Sequence, residues 1–292
     1  MADPPQRHSA APAASFDPVR PPPLHYSLRT RKKQIARFWL PLLLDCCILP
    51  VALFYSLRFA TRLSDATVFA ITTALIGGTL IIEFVLRGYH LWKRNSTCRP
   101  KGSPRAAFDW THWVLLLAIL VAVAELVVGN AFPEPLVRLL AMPAPSVLAV
   151  FAADVAVRDA LHLAGACAPV RVSSAPAGAA WRPGIYVVVE DIVATDGGGE
   201  TAFRERLDRR YAGSYMFRRM VRVLSLFWGL GGLAAALGTA ALVWTLDRDV
   251  AYGVGWVAPF VWGLAWTLLT MRWVPRCLER EYASWTEARG LP

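Results

Sequence analysis

Long apolar segments separated by polar connections dominate the hydrophobic pattern of this chain. Six segments are about 20 residues long and predominantly apolar, which is the length that a helix needs to cross a bilayer. The pattern therefore predicts an all-α integral membrane protein built as a bundle of about six transmembrane helices. The predicted spans are residues 38–59, 66–86, 110–132, 140–163, 223–245 and 252–273.

The fourth segment fits this pattern least well. Asp154, Arg158 and Asp159 interrupt it, and Pro143 and Pro145 stand at its start. The alternative is five spans with a re-entrant fourth segment. The charge distribution favours six spans, because omitting the fourth would move a large basic connection to the outer side.

The remaining residues form tails and connections. We predict a disordered, Pro-rich tail over 1–37, since such a segment buries too little apolar surface to fold. A mitochondrial transit peptide is an alternative, because arginines outnumber acids there, but prolines would break its helix. The predicted organisation is tail 1–37, spans one to four within 38–163, a cytoplasmic connection 164–222, spans five and six within 223–273, and a cytoplasmic C-terminal tail 274–292.

Lysines and arginines alternate between the two sides of the predicted bundle. They are dense before the first span and in the second and fourth connections, and sparse in the others. By the positive-inside rule both termini are then cytoplasmic. The sequon Asn95-Ser96-Thr97 lies in the basic second connection, so we expect Asn95 to carry no glycan.

Composition supports a membrane protein over a soluble enzyme. Hydrophobic residues make up 55% and charged residues 18%, against roughly 45–50% and 25% in soluble domains. The net charge of +10 is compatible with nucleic-acid binding, but basic cytoplasmic loops produce it equally well. We therefore predict the bilayer as partner and no nucleic acid. Five cysteines without a CxxC pair indicate neither a disulfide framework nor a zinc site.

The fourth connection is the largest part outside the predicted spans. Residues 185–189 resemble a short β-strand, and 196–199 predict a turn. A helix then follows, with Phe203, Leu207 and Tyr211 on one face. Its basic residues predict a helix lying on an anionic leaflet, and packing on the protein itself is the equal alternative. These basic residues are Arg204, Arg206, Arg209 and Arg210.

Acidic residues cluster around the predicted turn. They match neither a calcium loop nor a phosphate-binding loop. We expect them to pair with neighbouring arginines. The cluster consists of Glu190, Asp191, Asp196 and Glu200.

The last third of the chain contains a series of short stretches that can be compared with known families. They are Arg182-Pro183-Gly184-Ile185-Tyr186, residues 190–199, Phe203-Arg204, Arg210-Tyr211, Phe217-Arg218-Arg219-Met220 and Phe227-Trp228-Gly229. Together these stretches resemble a group of fungal multi-pass membrane proteins that have no assigned activity. This resemblance implies a fungal source and a membrane location, and it brings no catalytic residues.

Charged residues inside spans are the strongest functional candidates, since each costs about 2.5–3.5 kcal/mol at mid-membrane. Asp45, Glu83, Glu125 and Asp154 fall one to each of the first four spans, and Arg158 is one turn from Asp154. Asp45, Glu83, Asp154 and Arg158 are predicted to meet in the inner half of the bundle. The functional interpretation is an ion or proton path or a substrate anchor. The alternative is structural pairing of Asp154 with Arg158.

Three histidines lie near the cytoplasmic ends of spans two to four. His90, His112 and His162 are weak metal candidates, because no HxxxH or HxxHH cluster occurs. We predict no cofactor and no catalytic motif. A transport-type or accessory protein for a small or lipophilic molecule is the first functional hypothesis. A scaffold that docks anionic lipid or another membrane protein is the second, and a membrane-embedded enzyme using inner-leaflet acids is the third.

Overall fold

The computed structural model describes residues 21–26, 28–100, 102–105 and 107–287. Residues 1–20 of the predicted tail and residues 288–292 lie outside the described part. Within that part the chain forms eleven α-helices and no β-strand. The helices are α1 (Lys32–Leu43), α2 (Leu49–Ala60), α3 (Asp65–Leu75), α4 (Gly78–Trp92), α5 (Trp110–Asn130), α6 (Val137–Leu140), α7 (Pro143–Leu163), α8 (Gly184–Thr195), α9 (Glu200–Gly213), α10 (Tyr215–Thr245) and α11 (Arg248–Glu287).

Five helical segments are long and apolar enough to cross a membrane. They correspond to five of the six predicted spans. The sixth prediction, residues 140–163, contains α7, a continuous helix of 21 residues that carries three charged residues and is not among these five. The five segments are Ala36–Ala60, Asp65–Trp92, Trp110–Asn130, Tyr215–Thr245 and Arg248–Trp285.

The first two of these segments are interrupted. A π-helical turn, Leu44–Ile48, joins α1 to α2. The second segment breaks between α3 and α4, where Gly77 has a left-handed backbone with φ of 84°. The Asp45 carboxylate accepts hydrogen bonds from the amide of Gly77 at 3.2 Å and from that of Thr79 at 2.7 Å. These bonds satisfy donors that the start of α4 would otherwise leave without partners.

Helix α7 packs against α5, α8, α10 and α11. Glycines permit some of these close approaches. A Cβ atom on Gly232 of α10 would lie 2.8 Å from the Cβ of Ala152 in α7. A Cβ atom on Gly255 of α11 would lie 2.0 Å from the carbonyl oxygen of Ala141.

Apolar clusters occupy the two ends of α10. One contains Phe54, Phe69, Tyr252 and Trp256 and includes Val243 near the end of α10. The other surrounds the start of α10, and we call this region the α8–α9 end. It contains Tyr186, Phe203, Leu207, Phe217 and Val221.

The structure corrects the predicted strand at 185–189. These residues lie in α8, despite three successive valines. The carboxylate of Asp159 accepts a hydrogen bond from the amide of Gly184 at 2.8 Å, and the hydroxyl of Ser225 accepts one from Ile185 at 3.0 Å. Capping by distant side chains therefore outweighs the local β propensity.

The structure corrects the disorder predicted for the N-terminal tail and shows a helix in part of the C-terminal tail. Helix α1 begins at Lys32, inside the predicted disordered tail 1–37. Before it, Tyr26 packs against Phe203 with ring centroids 5.2 Å apart and donates a hydrogen bond to the Gly197 carbonyl. At the other end α11 continues from the predicted boundary at 273 to Glu287. Both tails are therefore partly folded onto the protein.

Candidate functional site

The predicted intramembrane acids do not form one cluster through hydrogen bonds or ion pairs in the described residues. Asp45 caps α4, as described above. Glu125 accepts a hydrogen bond from the Ser146 hydroxyl at 2.6 Å. Glu83 is half-buried one turn before Arg87. The separate partners do not support the prediction that Asp45, Glu83 and Asp154 share one polar site.

Asp154 and Arg158 form the predicted ion pair within α7. The Arg158 side chain is 2% exposed and the Asp154 side chain 14%. The indole of Trp110 donates a second hydrogen bond to Asp154 at 2.8 Å. This pair therefore fits the structural alternative, in which each charge neutralises the other inside the bundle.

A different set of charges forms a buried network at the α8–α9 end. Arg204 of α9 lies at its centre. Its guanidinium donates to Asp191 at 2.5 Å, to Glu190 at 3.0 Å and to Asp109 at 3.3 Å. Arg87 of α4 donates to the same Asp109 oxygen at 2.8 Å.

Three hydroxyl groups and one further acid complete the network. Asp191 accepts hydrogen bonds from the Thr111 hydroxyl at 2.9 Å and from the Ser173 hydroxyl at 2.6 Å. Thr195 donates to Asp109 at 3.2 Å, and Asp196 pairs with Arg87. We call the six charged residues the charge network: Arg87, Asp109, Glu190, Asp191, Asp196 and Arg204.

Carboxylates outnumber arginines in the charge network. Burial raises the pKa of Glu190 to about 7, with Asp191 adding to the rise and Arg204 opposing it. Burial also raises the pKa of Asp191. For Asp196 burial raises the pKa to about 6 against the opposing effect of Arg87. Proton uptake by one carboxyl thus offsets half of the excess negative charge, because four carboxylates face two arginines in the network.

Part of this network is predictable from the sequence. The predicted pairing of the acidic turn with neighbouring arginines is confirmed for Glu190 and Asp191, which pair with Arg204, whereas Asp196 pairs with the distant Arg87. Asp109 was missed, although a recognisable signal marks it. It stands directly before an apolar run and caps α5 by accepting from the His112 amide at 2.9 Å. Arg87 carries no comparable signal, because its partners lie on distant segments.

The structure corrects the prediction of a basic helix on the membrane surface. Of its four arginines, Arg204 and Arg210 are buried, and Arg210 pairs with Glu281 at 2.5 Å. Arg206 is half-buried and Arg209 is exposed. The apolar residues of α9 face the protein, so the helix has no apolar face to insert into a bilayer. The predicted alternative, packing on the protein itself, describes α9.

The three histidines occupy separate environments. The ring of His112 stacks between those of Phe84 and Phe108, at centroid distances of 4.4 and 4.6 Å. His162 is bonded through Nδ1 to the Trp181 carbonyl oxygen at 2.7 Å, and His90 is exposed. In the described residues no three His, Cys, Asp or Glu side chains are grouped for a metal ion.

An open groove of about 760 Å³ lies between α10 and α11. We call it the apolar groove. Tyr55 of α2 also contributes to it, and its hydroxyl donates to the Asp249 carbonyl at 2.9 Å. Small and aliphatic residues line the walls, including Ala235, Gly238 and Leu242 of α10 and Gly253, Val257 and Val261 of α11.

Comparison with known proteins identifies a family but no activity. Residues 10–285 match the family model described as "Domain of unknown function (DUF8766)". No curated protein and no solved structure matches the chain. The family description names no organism, so the fungal source stays a prediction. Since the match covers nearly the whole chain, the protein belongs to the DUF8766 family.

Proposed function

We propose that this chain is an integral membrane protein with six spans and cytoplasmic termini. Five helices with the length and apolarity of spans support this proposal, together with the alternation of basic connections. Helix α7 is the sixth span. Its 21 residues extend about 30 Å, the thickness of the hydrocarbon core. Its charged residues Arg158 and Asp159 are buried in the protein rather than turned to lipid.

Within this bundle, we propose that the protein holds a lipophilic molecule in the apolar groove, as an accessory or transport-type membrane protein. The groove itself carries the proposal. Its volume suits a lipid-sized ligand, and its lining of alkyl groups suits an acyl or isoprenoid chain. The ligand would lie alongside Gly238, which has no neighbouring atom within 4 Å of a Cβ position.

The charged residues favour this role over the alternatives. An ion path needs polar groups that follow one another through the bundle. Asp45, Glu125 and Asp154 instead bind separate helix termini and side chains. A membrane-embedded enzyme would need one of these acids free to act at a substrate cavity. Asp45 lines a second groove of about 400 Å³, but its carboxylate is occupied by the amides of Gly77 and Thr79. The apolar groove contains none of these acids.

Photo-crosslinking tests the groove. The probe is a palmitic acid analogue that carries a diazirine and an alkyne, added to membranes containing the protein. We expect mass spectrometry to find the label on peptides of α10 and α11 that line the groove. Gly238→Leu should reduce this labelling severalfold, because the added side chain fills the groove without contacting the surrounding protein.

Gly263→Leu is the matched control. Gly263 also lies in α11 with no atom within 4 Å of a Cβ position, but it does not line the groove. It should keep parental labelling. Equal labelling of the parent and Gly238→Leu, or uniform labelling of all lipid-facing helices, would contradict the proposal.

A further inference from the structure

Near Arg272 the exposed face of α11 changes from mainly apolar to mainly basic. Leu268 and Leu269 are each about half exposed. Beyond these leucines three exposed arginines are spaced four apart along the helix, and Met271 and Pro275 are exposed beside them. We call Arg272, Arg276 and Arg280 the arginine stripe.

The arginine stripe faces away from the protein. The opposite side of α11 packs inward through Trp273, Cys277 and Leu278. Glu281 also turns inward and pairs with Arg210. Residues four apart on a helix lie on one face, so the three arginines project together from the outer side.

These arginines have no partner in the described residues. None of the three makes a hydrogen bond, an ion pair or a ring contact there. The exposed Glu279 lies on the same side of the helix and also forms no ion pair with described residues. The stripe therefore presents a net charge of +2, including Glu279, directly beyond the exposed leucines of α11.

We infer that the arginine stripe of α11 binds anionic lipid headgroups of the cytoplasmic leaflet. Arg272 follows the last exposed leucines within one turn, which puts its guanidinium at headgroup level. Arg276 and Arg280 lie about 6 and 12 Å further along the axis. The attraction of an anionic surface extends over about 8 Å at physiological salt, so Arg272 and Arg276 lie within this distance and Arg280 lies beyond it.

The lipid contact therefore lies on α11, and not on α9, where the sequence predicted it. Helix α9 uses its apolar face and two of its arginines inside the protein. Helix α11 combines unpaired arginines with exposed leucines on one outer side, which is the combination that a membrane interface binds. The inference depends on the proposed membrane insertion but not on the apolar groove.

Lipid selectivity tests the inference. The protein is reconstituted in nanodiscs of phosphatidylcholine containing 20 mol% phosphatidylserine, and the lipids retained after detergent extraction are identified by native mass spectrometry. We expect the parent to retain phosphatidylserine in preference to phosphatidylcholine. The double variant Arg272→Gln/Arg276→Gln should lower this preference by about tenfold, since each arginine near an anionic surface contributes a severalfold effect.

The matched control removes two charges from α9, in Arg206→Gln/Arg209→Gln, and should keep the parental preference. A loss in this control that equals or exceeds the loss in the α11 variant would overturn the inference. The inference would also be overturned if the parent showed no preference for phosphatidylserine, or if the α11 variant kept the parental preference. Either result is expected if the stripe binds an acidic protein partner. Failure to insert into nanodiscs would contradict the proposed membrane location as well, whereas insertion without selectivity contradicts only the stripe.

Discussion

At the scale of single residues, burial separates structural charges from surface charges. Arg158 and Arg204 are almost fully buried, and each is bonded to at least one carboxylate. Removing one member of such a pair leaves the other charge buried and without compensation. This lowers the free energy of unfolding by more than the intact pair contributes to it. Exposed arginines such as Arg276 carry no such cost, so their substitution tests binding rather than folding.

We predict a strong coupling between Asp154 and Arg158. Asp154→Asn or Arg158→Gln alone should lower the free energy of unfolding by about 3–5 kcal/mol, because each leaves a buried charge without its partner. The double variant should lose clearly less than the sum of the two. Denaturant unfolding in detergent measures all three variants. Single variants that unfold like the parent would show that the pair is not desolvated.

The raised pKa of Glu190 predicts that stability falls as pH increases. Its pKa is about 7 in the folded protein and 4.5 ordinarily, so the folded protein holds this proton more tightly. The resulting stabilisation is complete below about pH 4.5 and is lost as pH rises through about 7, by up to about 3 kcal/mol. Asp196, with a pKa of about 6, contributes in the same direction at lower pH.

Thermal unfolding between about pH 4.5 and 7.5 measures this effect, and comparison with Glu190→Gln separates it from the Asp196 contribution. Glu190→Gln keeps an acceptor for Arg204 but does not titrate, so its melting temperature should fall less with pH. Glu279→Gln removes an exposed carboxyl and is the control, expected to keep the parental slope. If the melting temperature of Glu190→Gln fell as steeply with pH as that of the parent, Glu190 would not be the cause of the pH dependence.

At the scale of helices, close backbone approach joins α11 to the short α6 and its neighbours. The indole of Trp256 donates to the Leu140 carbonyl at 3.1 Å. One residue earlier, Gly255 leaves no room for a side chain against Ala141. Both contacts lie at the apolar cluster around Tyr252, and together they fix the position of α11 against the bundle.

Gly255→Ala should therefore destabilise the protein. The new methyl carbon would lie 2.0 Å from the Ala141 carbonyl oxygen, and the helices must separate to admit it. Overpacking of this kind costs about 1–3 kcal/mol, measured as a lower free energy of unfolding. Gly263→Ala in the same helix meets no neighbour and should be neutral or slightly stabilising. The prediction fails if both variants shift stability alike.

At the scale of the whole molecule, the connection before α5 and helix α9 lie on the same side of the bundle. The amide and hydroxyl of Thr201 donate to the Thr97 carbonyl at 2.6 and 2.7 Å. The Thr97 hydroxyl donates to Glu200 at 2.9 Å. The sequon at Asn95 consequently reports the side of the membrane for the charge network as well as for its own connection.

We predict that Asn95, although exposed, carries no glycan, because a basic connection stays in the cytoplasm. A glycosidase mobility-shift assay in a glycosylating host measures this. As a positive control, a sequon in a lengthened connection near Arg248 should be modified. A shift on the parent that disappears in Asn95→Gln would invert the proposed topology and move the arginine stripe to the other leaflet.

The sequence by itself determined the features that depend on local composition. Segments of about 20 apolar residues gave five long helices, because apolarity over that length is a property of neighbouring residues. The Asp154–Arg158 pair was equally predictable, since a spacing of four brings side chains together on any helix. Pairing of the acidic turn with arginines followed from charge alone, although the partner of each acid did not.

Only the tertiary structure decided features that depend on residues distant in sequence. Residues 185–189 have a β propensity, but Asp159 and Ser225 cap the start of their helix through the amides of Gly184 and Ile185. Arg87 meets Asp109 and Asp196 because three segments converge there. Whether an arginine is buried or exposed depends on what packs beside its helix. Neighbouring segments cover Arg204 and Arg210 of α9, whereas the arginines of α11 lie on its exposed side. Long-range packing is the physical reason, because the cost of burying a charge depends on partners that the local sequence does not specify.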